Sequence, residues 1–146
     1  MSATIRRAGP EDMQRLVEMG QRFVNETTYS GFVTINPERL SNTIIALSMN
    51  PDATILVSEN GAGVNGMIAL MVYDHPYSGQ RTAFEVVWWV EPEARGEGLK
   101  LLSAAEGWAR ENGAKAMQMV APTPRVGQLY EKHGYHLVES SYQRSL

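Results

Sequence analysis

The sequence predicts one α/β domain of the α+β kind, with about six strands and four helices in the order β-α-α-β-β-β-α-β-α-β. Three observations lead there. Apolar residues recur at helical spacing in four segments, β-branched and aromatic residues crowd into six short runs, and the junctions between them carry Pro, Gly or Asn. At 146 residues the chain has the length of a single domain, expected to span 1–146, and can bury enough apolar surface to fold alone.

The elements follow in order. "ATIRRAG" alternates weakly and ends at Gly9-Pro10, a first strand running into a helix whose first turn Pro10, Glu11 and Asp12 suit. Met13, Leu16, Val17, Phe23 and Val24 carry that helix to about Asn25. After the loop "ETTYSGFVTI", Asn36 reads as an N-cap and Pro37 as the first turn of a second helix, with Leu40, Ile44 and Leu47 on one face. "ATILVSE", "GMIALMVYDH" and "RTAFEVVWWVEP" are three β-prone runs, the last stopped by Pro92. From Leu99 the period returns to 3.6 through Leu101, Ala105, Trp108 and Ala109, with Glu106 and Arg110 spaced i,i+4, and Gly113 ends the helix. "AKAMQMVAP" is a strand, Thr123-Pro124 opens a short helix that Gly134 stops, and "YHLVESSYQ" reads as a closing strand.

Composition narrows the function. Hydrophobic residues make up 43% and charged residues 20%, as in a globular protein. No apolar run approaches the roughly 20 residues of a membrane span, and "MSATIRRAG" lacks a secretory apolar core, so the cytoplasm is the expected compartment, with no membrane partner. The absence of Cys removes disulfides, thiolate nucleophiles and cysteine-bound zinc. A net charge of -3 argues against a nucleic-acid partner, which needs a basic face. His133 and His136 straddle Gly134 with no third ligand candidate, and neither they nor His75 belong to a recognisable triad, so no metal site is expected.

Two glycine stretches compete for a phosphate-binding role. "GAGVNG" fits G-x-G-x-x-G, but the residues after it, "MIALMVYDHP", are β-prone and reach Pro76 before the necessary helix can form. Asn60-Gly61 and Asn65-Gly66 are turn dipeptides, so a hairpin is expected there. "EARGEGLKLLSAAEGWA" has the missing context: a strand ends at Val90, Pro92 breaks it, Gly96 and Gly98 permit a tight turn, and a helix begins at once. Main-chain N–H groups of such a turn point into one concavity beside a positive helix end, an anion site.

These residues in this element order resemble the GNAT family of acetyl-CoA-dependent N-acetyltransferases over nearly the whole chain. The family's central motif is Arg or Gln, two residues, Gly, one residue, then Gly or Ala, after a Val-x-Pro strand end; "VEPEARGEGLK" supplies Val90, Pro92, Arg95, Gly96 and Gly98. "LYEKHGY" is similar to the second signature, a short helix ending in Gly-aromatic. Small members, some encoded by bacteriophages, share this style. The resemblance implies the GNAT fold, with a mixed, mostly antiparallel central sheet. It implies acetyl-CoA as co-substrate, its diphosphate held by the main chain of Arg95, Gly96, Glu97, Gly98, Leu99 and Lys100, and its pantetheine arm held by backbone near Trp89 and Val90 in a slot between splayed strands. Lys100 departs from the family's Gly or Ala, and Glu97 is unusual beside a polyanion.

The implied chemistry assigns further roles. A free alkylammonium has a pKa near 10, so only about one part in a thousand is neutral at pH 7 and a general base is needed. Glu85, inside "TAFEVVWWV", is the most conspicuous carboxylate; alternation could equally turn it to solvent, with Asp74 and His75 as substitutes. Tyr130 stands where many relatives place the tyrosine that protonates the departing thiolate, against the plainer reading as a core aromatic. Thr123 stands where relatives contact the pantetheine arm and is also an N-cap. Alternation puts Trp88 and Trp89 on opposite faces, one in the core and one lining the acceptor pocket. The acceptor is a small-molecule or peptide amine, with Tyr29, Phe32, Tyr73 and Tyr77 in its candidate loops. A homodimer, common in the family, would use a sheet edge or the last strand. The alternatives are a degenerate CoA-binding or protein-interaction module and a nucleotide-binding domain built on "GAGVNG".

Overall fold

The computed structural model describes residues 3–146. Five strands form one sheet in the order β1-β2-β3-β4-β5: β1 Thr4–Arg7, β2 Ala53–Asn60, β3 Gly63–Asp74, β4 Arg81–Val90 and β5 Ala116–Gln118. The first four are antiparallel, and β5 joins β4 in parallel. This is the mixed, mostly antiparallel sheet that the family resemblance implies, with five strands in place of about six.

Four helices cover the sheet: α1 Met13–Asn25, α2 Pro37–Met49, α3 Gly98–Glu111 and α4 Pro124–Lys132. Their starts are where local chemistry sets them. The Asn36 side chain accepts from Arg39 N at 3.0 Å, and Thr123 accepts from Val126 N at 3.4 Å, each followed by Pro. Gly113 and Gly134 end α3 and α4 with φ of 84° and 87°, a backbone that a side chain would strain. One apolar cluster packs Leu16, Met19, Ile44 and Leu47 of α1 and α2 against Val57, Met67, Ala69 and Trp89. On the other face Leu101, Ala105 and Ala109 of α3 pack against Ile68, Leu70, Ala83 and Val90.

The "GAGVNG" stretch is a hairpin joining β2 to β3. Asn60 Oδ1 accepts from Ala62 N at 2.8 Å and Gly63 has φ 105°. Asn65-Gly66, expected as a second turn dipeptide, lies instead within β3. A Cβ on Gly66 would stand 2.9 Å from Leu101 Cδ1 and 3.3 Å from Val90 Cγ2, so this glycine lets α3 close on the sheet.

Two strand expectations fail at the C-terminal end. β5 pairs over three residues only, Thr82–Phe84 with Ala116–Gln118, although the β-prone run extends to Pro122. The segment from Tyr135 onward forms no strand; Leu137 and Val138 are 80% and 77% exposed. β-propensity expresses packing against a neighbouring strand, and so short a β5 supplies no ladder for the tail. Beyond Phe84 and Gln118 no backbone ladder joins β4 to the chain after β5, and the two segments bound a wedge between them.

Candidate active site

Strand alternation decides what enters this wedge. Glu91 N donates to Asn65 O at 2.8 Å, so the backbone groups of Glu91 and Trp89 turn toward β3 and those of Trp88 and Val90 turn toward the open side. Of the two residues expected to hold the pantetheine arm by backbone, Val90 thus faces the wedge and Trp89 is engaged with β3. Val90 O already accepts from Arg95 Nε at 3.2 Å.

Side chains on this face converge. Glu85, opposite Leu70, is 8% exposed, and Tyr130 comes down from α4 to meet it, with the hydroxyl 3.4 Å from Glu85 Oε1 and 3.0 Å from Val120 O. A phenol has one proton to give. When Glu85 is ionised that proton can turn to the carboxylate, and when Glu85 is protonated it can stay on Val120 O, so either state of the pair is satisfied. Burial pushes the Glu85 carboxyl up to about 7, partly opposed by hydrogen bonds from the Val120 amide and Tyr130. Burial, and then the neighbouring Glu85 charge, raise Tyr130 well above an ordinary phenol. Among the described residues no Lys, Arg or His pairs with Glu85. Trp88 stacks on Tyr130 with centroids 5.9 Å apart, and Tyr135 lies 5.6 Å from Tyr130 on another side.

The turn from Pro92 to Glu97 is a 3-10 helix that merges into α3. Gly96 and Gly98 are absent from the positive-φ glycines, so their role is not the tight left-handed turn expected of them. A Cβ on Gly98 would touch Trp88 Cζ2 and Val90 Cγ2 at 3.5 Å, and nothing stands near Gly96, which leaves its backbone open to approach. Gly98 N–H is already given to Arg95 O, so the full row of converging amides is reduced at that position. The Glu97 carboxylate meets Lys100 Nζ at 3.1 Å, and Leu99 is partly exposed on the first turn of α3. The two unusual residues of the motif therefore neutralise one another. An open strand edge, an uncapped helix start and an exposed glycine fit a diphosphate with an extended arm.

Several expected residues lie elsewhere. Asp74 is exposed and 3.7 Å from Arg81, and His75 accepts from Tyr77 N; both sit at the paired end of β4, about four strand residues or roughly 13 Å from Glu85. Tyr73 ties β3 to β5 through Gln118 Oε1 at 2.8 Å, so it is packing, and Tyr77 is fully in solvent. The loop after α1 is closer to the wedge, for Thr28 Oγ1 donates to Pro122 O at 3.2 Å, beside α4's N-cap Thr123. Tyr29 and Phe32 of that loop are partly exposed.

The model of the Acetyltransferase (GNAT) family matches residues 20–135. The chain belongs to the GNAT family. No curated protein matches it significantly. Solved structures share the GNAT fold at low identity. A transcriptional regulator from Bacillus halodurans C-125 is 20% identical with TM-score 0.82, over 99% of each chain. A predicted acetyltransferase with acetyl-CoA from Clostridium acetobutylicum is 18% identical with TM-score 0.80, over 98% of this chain and 96% of that one. An aminoglycoside antibiotic 6'-N-acetyltransferase from Acinetobacter haemolyticus is 15% identical with TM-score 0.77, over 98% and 97%.

One cluster of this GNAT domain had no signal in the sequence. Glu91, fully buried, receives Arg22 from α1, Arg15 Nη2 at 3.3 Å and Trp89 Nε1 at 3.2 Å. Arg22 and Arg95 also lie over the Trp89 ring at 5.8 and 5.1 Å. Arg22 and Glu91 alone are 69 residues apart in sequence, beyond the reach of any local pattern.

Proposed function

We propose that the chain is an acetyl-CoA-dependent N-acetyltransferase, a single catalytic domain that moves an acetyl group to a primary amine by direct attack in a ternary complex. The observation that carries this reading is the buried Glu85–Tyr130 pair in the wedge beside β4. When bound, acetyl-CoA supplies the acetyl thioester. Glu85 takes a proton from the acceptor ammonium, and a carboxyl poised near 7 can do so at neutral pH. The amine nitrogen then bonds to the acetyl carbon as the C–S bond breaks, Tyr130 gives its hydroxyl proton to the departing sulfur, and the extra proton on the new amide nitrogen is released to water. Burial and the Glu85 charge make Tyr130 a weak acid at rest. Protonation of Glu85 removes the charge that contributes to this, which brings the phenol closer to the range where a thiolate can take its proton. Glu85, now protonated and 3.4 Å away, is the proton source that restores the tyrosine. With no Cys in the chain, an acetyl-cysteine route is closed.

The diphosphate is assigned to the backbone of Arg95, Gly96, Glu97, Leu99 and Lys100 at the start of α3, with the Gly98 amide engaged internally. Val90 borders the arm. Thr123 is assigned to the arm, and the loop carrying Tyr29 and Phe32, held at Pro122 by Thr28, borders the acceptor side.

Calorimetric titration with acetyl-CoA, followed by thiol release across a panel of primary amines, tests the reading. Heat of binding and turnover with at least one amine are expected; no binding at millimolar acetyl-CoA overturns it. Tyr130→Phe is expected to lower kcat about a hundredfold while leaving the affinity for acetyl-CoA within a few fold.

A further inference from the structure

The indole nitrogen of Trp88 is shut off from solvent, and among the described residues no acceptor lies within hydrogen-bonding distance. Buried donors in folded proteins nearly always have a partner, so a lone one marks a place where another group belongs. The strand itself is not at fault, because the adjacent Trp89 donates to Glu91.

The position of Trp88 says what kind of group is missing. Its Cζ2, two bonds from Nε1, lies 3.5 Å from where a Gly98 Cβ would stand, so the nitrogen-bearing edge adjoins the first turn of α3. Its ring stacks on Tyr130 at 23°. A molecule running from the start of α3 to the Tyr130 hydroxyl must pass this indole. We infer that Trp88 Nε1 donates a hydrogen bond to a carbonyl oxygen of the acyl-pantetheine arm, an inference that rests on the acetyl-CoA reading above. The arm offers such oxygens in its amides and in the thioester, and an N–H can donate to either. The same contact leaves the ring against Tyr130, so one side chain both lines the arm and walls the acid.

The test uses the indole N–H resonances of uniformly nitrogen-15-labelled protein, three in number because the chain has three Trp. Trp88 is assigned by its loss in Trp88→Phe or, should that variant not fold, by elimination with Trp89→Phe and Trp108→Phe. Saturating acetyl-CoA is expected to move the Trp88 proton downfield and slow its exchange with solvent, with Trp108 unmoved. CoA alone separates the two oxygens. An equal shift with CoA places the contact on an amide, and Trp88→Phe then raises the KM for acetyl-CoA about tenfold at constant kcat; a shift with acetyl-CoA only places it on the thioester, and kcat falls instead. Either result supports the inference. Calorimetric binding of acetyl-CoA with the Trp88 resonance unmoved overturns it and leaves the acetyltransferase reading intact. No calorimetric binding overturns both.

Discussion

Strand β4 carries two tryptophans and, with the residue after it, two buried glutamates, and the two faces of the sheet treat them in opposite ways. Toward α1, Glu91 is 0% exposed and receives two arginines and the Trp89 indole. Toward α4, among the described residues, Glu85 has no cation and Trp88 has no acceptor. The first arrangement is closed, with every charge and donor matched, and it fastens α1 to the end of β4. In the second the carboxyl is hydrogen-bonded but has no counter-charge and is driven up to about 7 by burial, and one indole N–H is left without an acceptor. A closed network has nothing further to give a ligand. The side left incomplete by the fold is the side where chemistry can be done.

The sharpest way to break this contrast is a pair of isosteric changes. Glu85→Gln is expected to lower kcat/KM at least a hundredfold and to abolish the rise in activity with pH through about 7 that ionisation of Glu85 imposes. Glu91→Gln should leave kcat within a few fold, and equal losses in both variants would erase the distinction.

Stability should move the other way. The folded pKa of Glu85 stands near 7, above the ordinary 4.5, so the folded state holds the proton through that window. Wild-type stability relative to Glu85→Gln therefore falls as pH rises from about 4.5 to about 7 and stays lower above, by about 3 kcal/mol at full extent. Denaturant melts at pH 4.5 and 8 measure it; a difference that grows toward acid would contradict a buried, unpaired carboxyl. Glu91→Gln, by contrast, takes the buried carboxylate from Arg15 and Arg22 and leaves them only the more exposed Glu18 and Glu26. Their side chains are 32% and 43% exposed and can turn to water, so the loss is about 2 kcal/mol, below that for a fully buried pair, or roughly 4–8 °C in Tm.

The smallest effect belongs to the hairpin. Gly63→Ala places a side chain at φ 105° and should cost about 1 kcal/mol while acetyl-CoA binding stays unchanged. Loss of binding in that variant would return "GAGVNG" to the site.

The sequence made some elements legible and hid others for a common reason. Asn36-Pro37 and Thr123-Pro124 start helices because the cap and the group it satisfies lie within three residues, and the Asn60–Gly63 turn is equally local. The tail after Gly134 looked like a strand because its residues favour one, but a strand also needs a neighbour, and β5 is too short to be one. Glu85 and Tyr130 were each visible as candidates. That they meet depends on α4 folding back across the open wedge, 45 residues further along the chain.

What the sequence by itself determined is the order of the elements, the hairpin nature of the first glycine stretch and the kinds of side chain that β4 presents, since spacing and nearest neighbours fix these. Only the tertiary structure decided which glutamate would be matched with arginines and which would be buried without a counter-charge, and which tryptophan would lack an acceptor among the described residues. Those outcomes depend on burial and on partners distant in sequence, and both come into being when the helices close on the two faces of the sheet.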